Sequence, residues 1–125
     1  MNAHALAHAA YGNPNTAQKT TRSAEYDVIS RITSRLRFAQ THSATDYPAF
    51  VAALDENRKL WVTLAADVAN PDNALPQDLK LSILRLAQFS LHHTNAVLSG
   101  QDQADVLVEI NLSILRGLAG KEAIK

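Results

Sequence analysis

Between residues 47 and 68 the chain places Tyr47, Phe50, Leu54, Asn57, Trp61, Leu64 and Val68 at alternating steps of three and four. Only an α-helix gathers such a row on one face, because a strand would send the same residues to both sides of a sheet. The row runs roughly six turns, long enough for lengthwise packing against antiparallel neighbours. This helix opens around Asp46, and Pro48 is tolerated in its first turn because an amide hydrogen there would have had no partner.

The remaining periodicity follows the same plan. Ile29, Ile32, Leu36 and Ala39 predict a first body helix from near Ser23 to about Gln40. The segment NPDNALP at 70–76 ends the second helix, since Pro71 disfavours helical geometry at Asn70, and Pro76 begins a third. Leu84, Ala87, Leu91, Thr94 and Leu98 form one row of that third helix, beside a second row of Leu79, Ile83, Leu86 and Val97, so it is expected to touch two neighbours. Gly100 suits the left-handed position that closes a helix. After GQDQ, a fourth helix carries Leu107, Ile110, Ile114 and Leu118 and is expected to end at Gly120.

No stretch alternates with period two and no internal repeat is present. The fold class expected is all-α: a small antiparallel bundle of four main helices preceded by a short N-terminal helical segment. In domain terms, residues 1–11 are that segment, 12–21 (GNPNTAQKTT) a linker, 22–120 the bundle and 121–125 a tail. Ala3, Leu6, Ala7 and Ala10 share one side of the opening segment, which is too short to be a stable helix alone. It either docks on the body or orders on a partner, with Leu6 as its candidate contact.

At 125 residues the chain is expected to form one domain, and its lack of cysteine excludes thiol nucleophiles, disulfide frameworks and cysteine-bound metals. Twelve basic residues balance twelve acidic ones, so no global field holds a polyanion. Only residues 1–45 lean basic, with Lys19, Arg22, Arg31, Arg35 and Arg37 against Glu25 and Asp27. The N-terminus MNAHALAHAAY lacks the pattern of a secretory signal and no segment reads as a membrane span, which places the protein in the cytoplasm.

Catalytic signals are absent. His92 and His93 point about 100° apart on a helix and cannot share a metal ion; His4 and His8 have the right spacing but no third ligand nearby. Asp67, Asp72 and Asp78 flank the second turn without a nucleophile or phosphate loop, and turn bonds account for them. The reading is therefore no enzyme, no cofactor and no metal.

Three body residues are candidates for partner binding or for core duty. Asn57 interrupts an apolar stripe, where an unpaired amide costs about 1–3 kcal/mol, so it either bonds a second helix, for example at Asn111, or faces a groove. Trp61, one turn away, is either core or an anchor for a guest helix. Phe38 falls off the stripe of its helix among Arg31, Ser34 and Arg35. Either the HSATDY connection covers it or it belongs to a binding surface edged by positive charge.

The run from Asn57 to Gly100, with Asn-x-x-Leu-Trp followed by Asp67 and then Pro-x-Asn-x-Leu-Pro, resembles the flagellar biosynthesis regulator FlaF family of alphaproteobacteria. Tyr11, the Ser23-to-Leu36 segment with Glu25 and Tyr26, and the closing VLVEINLSILRGL extend the likeness over most of the chain. The resemblance implies a small all-helical protein that binds unassembled flagellin as a cytoplasmic secretion chaperone. It further implies promotion of flagellin synthesis and export, against the repressor FlbT, which is a second candidate partner. The alternative is a regulator acting directly on flagellin mRNA through the basic first helix. Asn57, Trp61, Asp67, Asn73, Leu75 and Pro76 match the family pattern, and Leu75 joins Phe38, Asn57, Trp61 and Leu6 as candidate partner contacts.

Overall fold

The computed structural model describes residues 14–123, and side-chain surroundings from residue 24 to 117. Four helices follow one another: α1 (Pro14–Thr41), α2 (Tyr47–Ala69), α3 (Gln77–Leu98) and α4 (Asp105–Ala123). They form a helical bundle, as the periodicity predicts, and the N-terminal segment 1–11 lies outside the described residues.

Two boundaries differ from the sequence reading. Helix α1 starts at Pro14 instead of near Ser23, so most of the stretch read as a linker, 12–21, is helical. Proline's fixed φ suits a first helical turn, and the Thr-Ala-Gln-Lys run after it contains nothing that breaks a helix. Helix α4 continues past Gly120 to Ala123, because a glycine lowers helix propensity without stopping a helix.

The connections are built locally. Asp46 caps α2, its Oδ1 accepting from the Ala49 amide at 3.2 Å, with Pro48 in the first turn. Such a cap is worth about 1 kcal/mol, so Asp46→Ala should lower the urea midpoint by a corresponding step, and an unchanged midpoint would show the cap inert. In the 70–76 turn Asn70 Oδ1 accepts from the Asp72 amide and Asn73 Oδ1 from the Leu75 amide, while Asn73 Nδ2 donates to the Asp67 carbonyl at 3.1 Å. The Pro-x-Asn-x-Leu-Pro motif thus folds the turn itself. Gly100 closes α3 at φ 80°, the left-handed region that favours glycine.

Around the bundle α1 packs on α2 and α4, and α3 on α2 and α4; the diagonal pair α2 and α4 meets through side chains across the core, Asn57 and Trp61 reaching Asn111. Apolar side chains fill two separate clusters. One holds Leu36, Phe50, Leu54, Val97, Leu107 and Val108; the other holds Ile29, Ile32, Leu60, Trp61, Leu64, Ala87 and Leu115. Between them lie buried polar residues from all four helices: Thr33, Asn57, Ser90 with Thr94, and Asn111. The register follows from packing, since Phe50 shares a cluster with Val97 and Trp61 with Ala87, which sets Asn57 level with Ser90.

The stripe of α2 is buried as expected from Phe50 to Val68, but Tyr47, at the helix start, is exposed. In α4 the buried line is Leu107, Val108, Asn111 and Leu115, which leaves Ile110 and Ile114 half-buried on one flank.

Candidate functional site

The polar layer is laced through Asn111. Its Nδ2 donates to Asn57 Oδ1 at 2.7 Å and to Thr33 Oγ1 at 3.1 Å, and its Oδ1 accepts from Trp61 Nε1 at 2.9 Å. Thr33 in turn donates to the Ile29 carbonyl at 2.6 Å. Asn57 therefore pairs with Asn111, one of the two alternatives the sequence leaves open. Asn57 is fully buried and Trp61 is 1% exposed, so in this packing neither touches a partner; they hold α1, α2 and α4 together. Helix α3 has no such tie, because Ser90 Oγ has no hydrogen-bond partner, and Asn57 Nδ2 is likewise unpaired.

The other candidates are scattered. Phe38 is 67% exposed on α1, its ring stacked on His42 with centroids 4.2 Å apart, and the connection after α1 leaves it open to solvent. Beside it Arg35 pairs with Glu56, and the Arg31 guanidinium turns back to the Asp27 carbonyl. Leu75 is half-buried in the α2–α3 turn, at the opposite end of the bundle from Phe38, and Leu6 lies outside the described residues. Phe38, Leu75 and the buried pair do not form one surface.

Among the described residues the most open apolar groove is the seam between α3 and α4, the thinnest of the four helix contacts. On α4 the flank turned toward α1 carries Asp105, which accepts from Gln40 Nε2. The opposite flank, on the side of α3, carries Val106, Ile110 and Ile114 at helical spacing. On α3 the matching flank carries Ile83, Leu86, Phe89 and His93. Ile83, Leu86, Ile110 and Ile114 are only partly buried, and Phe89 and Val106 are 48% and 39% exposed.

Among the described residues, the seam is pinned at its His93 end. Buried His93 stacks on Phe89, with centroids 5.5 Å apart, and its Nε2 donates to the Gln103 carbonyl at 2.8 Å. Asp102 Oδ2 stands 3.8 Å from Nδ1. On the exposed face of α2, hydrogen bonds from Arg58 and Lys59 hold the Asp55 carboxyl below its ordinary range.

This flank was missed in the sequence because Ile110 and Ile114 were assigned to the core row. The signal that could have found it is Asn111: once that residue is taken as the inward partner of Asn57, the buried line of α4 rotates and the isoleucines move to its edge. No helix among the described residues is long and apolar enough to cross a membrane. A family model described as flagellar protein FlaF matches residues 7–118. No curated protein and no solved structure matches the chain.

Proposed function

The chain belongs to the FlaF family of flagellar proteins, and on that premise we propose that it binds unassembled flagellin in the cytoplasm as a secretion chaperone. In this reading it promotes flagellin synthesis and export and opposes the repressor FlbT, with no catalytic step and no cofactor.

The terminal segments of flagellin are amphipathic helices that pack only in the filament, so before assembly their apolar faces need cover. A helical bundle supplies cover by laying such a helix in an apolar groove with a polar rim. The observation that supports this most is the α3–α4 seam, whose two helices carry partly buried Leu86, Ile110 and Ile114 and exposed Phe89. Since the client's ordering cost falls due on binding, the complex is of moderate affinity and can be released by competition at the export machinery, without nucleotide hydrolysis.

The purified chain mixed with monomeric flagellin should give a one-to-one complex by light scattering and a melting temperature that rises with flagellin concentration. No complex at tens of micromolar, or equal binding to unrelated helical proteins, would sink the reading. Direct action on flagellin mRNA is the weaker alternative. Of Arg31, Arg35 and Arg37, the cluster on the basic first helix, Arg35 is paired with Glu56 and Arg31 is turned back on its own helix.

A further inference from the structure

The flank of α2 that carries Glu56 faces α1, through Arg35, and the flank of α3 that carries His93 faces α4. Residues half a turn away from these two share the outer surface along which α2 and α3 run side by side. On α2 they are Tyr47, Val51, Val62 and Ala65; on α3 they are Leu81, Leu84, Leu91 and Leu98. Leu84, Leu91 and Leu98, which the periodicity assigns to one packed row, are thus half-buried or exposed. Tyr47, Val62, Leu81 and Leu98 make up half of the eight large apolar side chains exposed among the described residues. The core clusters set them level across the two helices, since Phe50 lies with Val97 and Trp61 with Ala87. Tyr47 therefore stands beside Leu98 at one end of the face, and Val62 and Ala65 beside Leu84 and Leu81 at the other.

The chemistry of this face selects its occupant. One residue within the two rows is charged, Arg58, and Asp55 on the same surface holds its guanidinium at 2.9 Å. The interruptions on α3 are neutral, Gln88 and Asn95. A strongly acidic or basic partner finds no counter-charge here, whereas an identical neutral face meets it without repulsion. The chain as a whole carries formal charge zero, so no long-range field keeps two copies apart. Size agrees with this. About 27 Å of each helix and a width of about 20 Å for two helices side by side give a footprint of roughly 500 Å², and protruding side chains bring its accessible area toward the ~800 Å² per partner of a standard interface. Helices α2 and α3 also share the most extensive of the four helix contacts, so the face is formed in advance and little ordering opposes association.

We infer that the outer α2–α3 face is the interface of a homodimer, on which a second copy of the chain lays the same face in a two-fold, isologous contact. Both ends of the face, at Tyr47 with Leu98 and at Val62 with Leu84, then leave water together. The seam lies on the other flank of α3, so each copy keeps its own, and one client per chain is unaffected. The inference is independent of the flagellin-binding reading.

Sedimentation of the full chain tests it. The wild type should run as a dimer at about 100 μM, roughly a hundredfold above the micromolar dissociation constant at the weak end for interfaces of this size. Val62→Glu and Leu98→Glu each bring a charge into the contact twice, and each should weaken the dimer at least tenfold with helicity unchanged. Phe89→Glu, on the seam flank of α3, should leave it intact. A second measurement uses thiols, since the chain has no cysteine of its own. Val62 and Phe89 are 46% and 48% exposed within one copy, so cysteines placed there should be alkylated at similar rates in a monomer. In the dimer Val62→Cys should react at least fivefold more slowly than Phe89→Cys. A wild type that is monomeric at about 100 μM, or equal thiol rates, overturns the inference even if a glutamate variant fails to fold. So does a dimer that survives both glutamates, or one that Phe89→Glu dissociates, which would put the second copy on the seam. A monomer whose flagellin binding falls tenfold with Val62→Glu would assign the face to the client instead.

Discussion

Replacing Asn111 with alanine is expected to destabilise the bundle by about 3–5 kcal/mol, a large share of the roughly 5–15 kcal/mol that holds a domain folded. The side chain is fully buried and its amide serves three neighbours. Alanine strands Trp61 Nε1 and Asn57 Oδ1 in the core, each at about 1–3 kcal/mol, and adds a void where the amide was. Thr33 suffers least, since its hydroxyl keeps the Ile29 carbonyl. Asn57 suffers most, because its Nδ2 is already unpaired and its whole amide would then be without a partner.

The companion variant Asn57→Ala separates the two asparagines. It removes an unpaired donor along with the acceptor, and leaves Asn111 bonded to Thr33 and Trp61. Its cost should be about 1–2 kcal/mol, mostly from the void. Urea unfolding followed by circular dichroism measures both. An Asn57→Ala loss equal to that of Asn111→Ala would show that the layer is not centred on Asn111.

That layer also explains which parts of the fold could be read in advance. The stripe of α2 was legible as far as Asn57 needing a polar partner, with Asn111 as one candidate, because a polar residue inside a strict 3-4 row has to be bonded; the structure selects Asn111. The stripe of α4 was read one step off. Hydropathy counts asparagine as polar and isoleucine as apolar, so the pattern tilts onto Ile110 and Ile114, whereas hydrogen bonds to residues of α1 and α2 pull position 111 inward. Phe38 was legible as a residue off its stripe, and it is exposed. The α3–α4 seam was not, since its thinness is a relation between two helices that neither sequence segment carries alone.

Trp61 is expected to carry the second large effect. With 1% of its surface exposed, Trp61→Ala should cost about 3–5 kcal/mol through lost burial and a cavity, in addition to stranding Asn111 Oδ1. Trp61→Phe keeps most of the ring's apolar contact, forfeits the indole N–H, and should cost about 1–2 kcal/mol. Trp61 is the only tryptophan, so its fluorescence reports the wild-type transition without a label, and circular dichroism follows the variants. The pair also tests what the residue is for. A buried indole bonded to Asn111 supports the bundle and does not touch a client, so Trp61→Phe, assayed well below its melting temperature, should bind flagellin with an affinity within about twofold of wild type, the scatter typical of a residue outside a hot spot. A tenfold loss with the fold intact would mean that the core opens to the client and that the indole becomes an anchor on binding. The docked helix would then have to reach past Ile110 and Leu86 into the polar layer, where the unpaired Ser90 hydroxyl and Asn57 amide would be its first polar contacts.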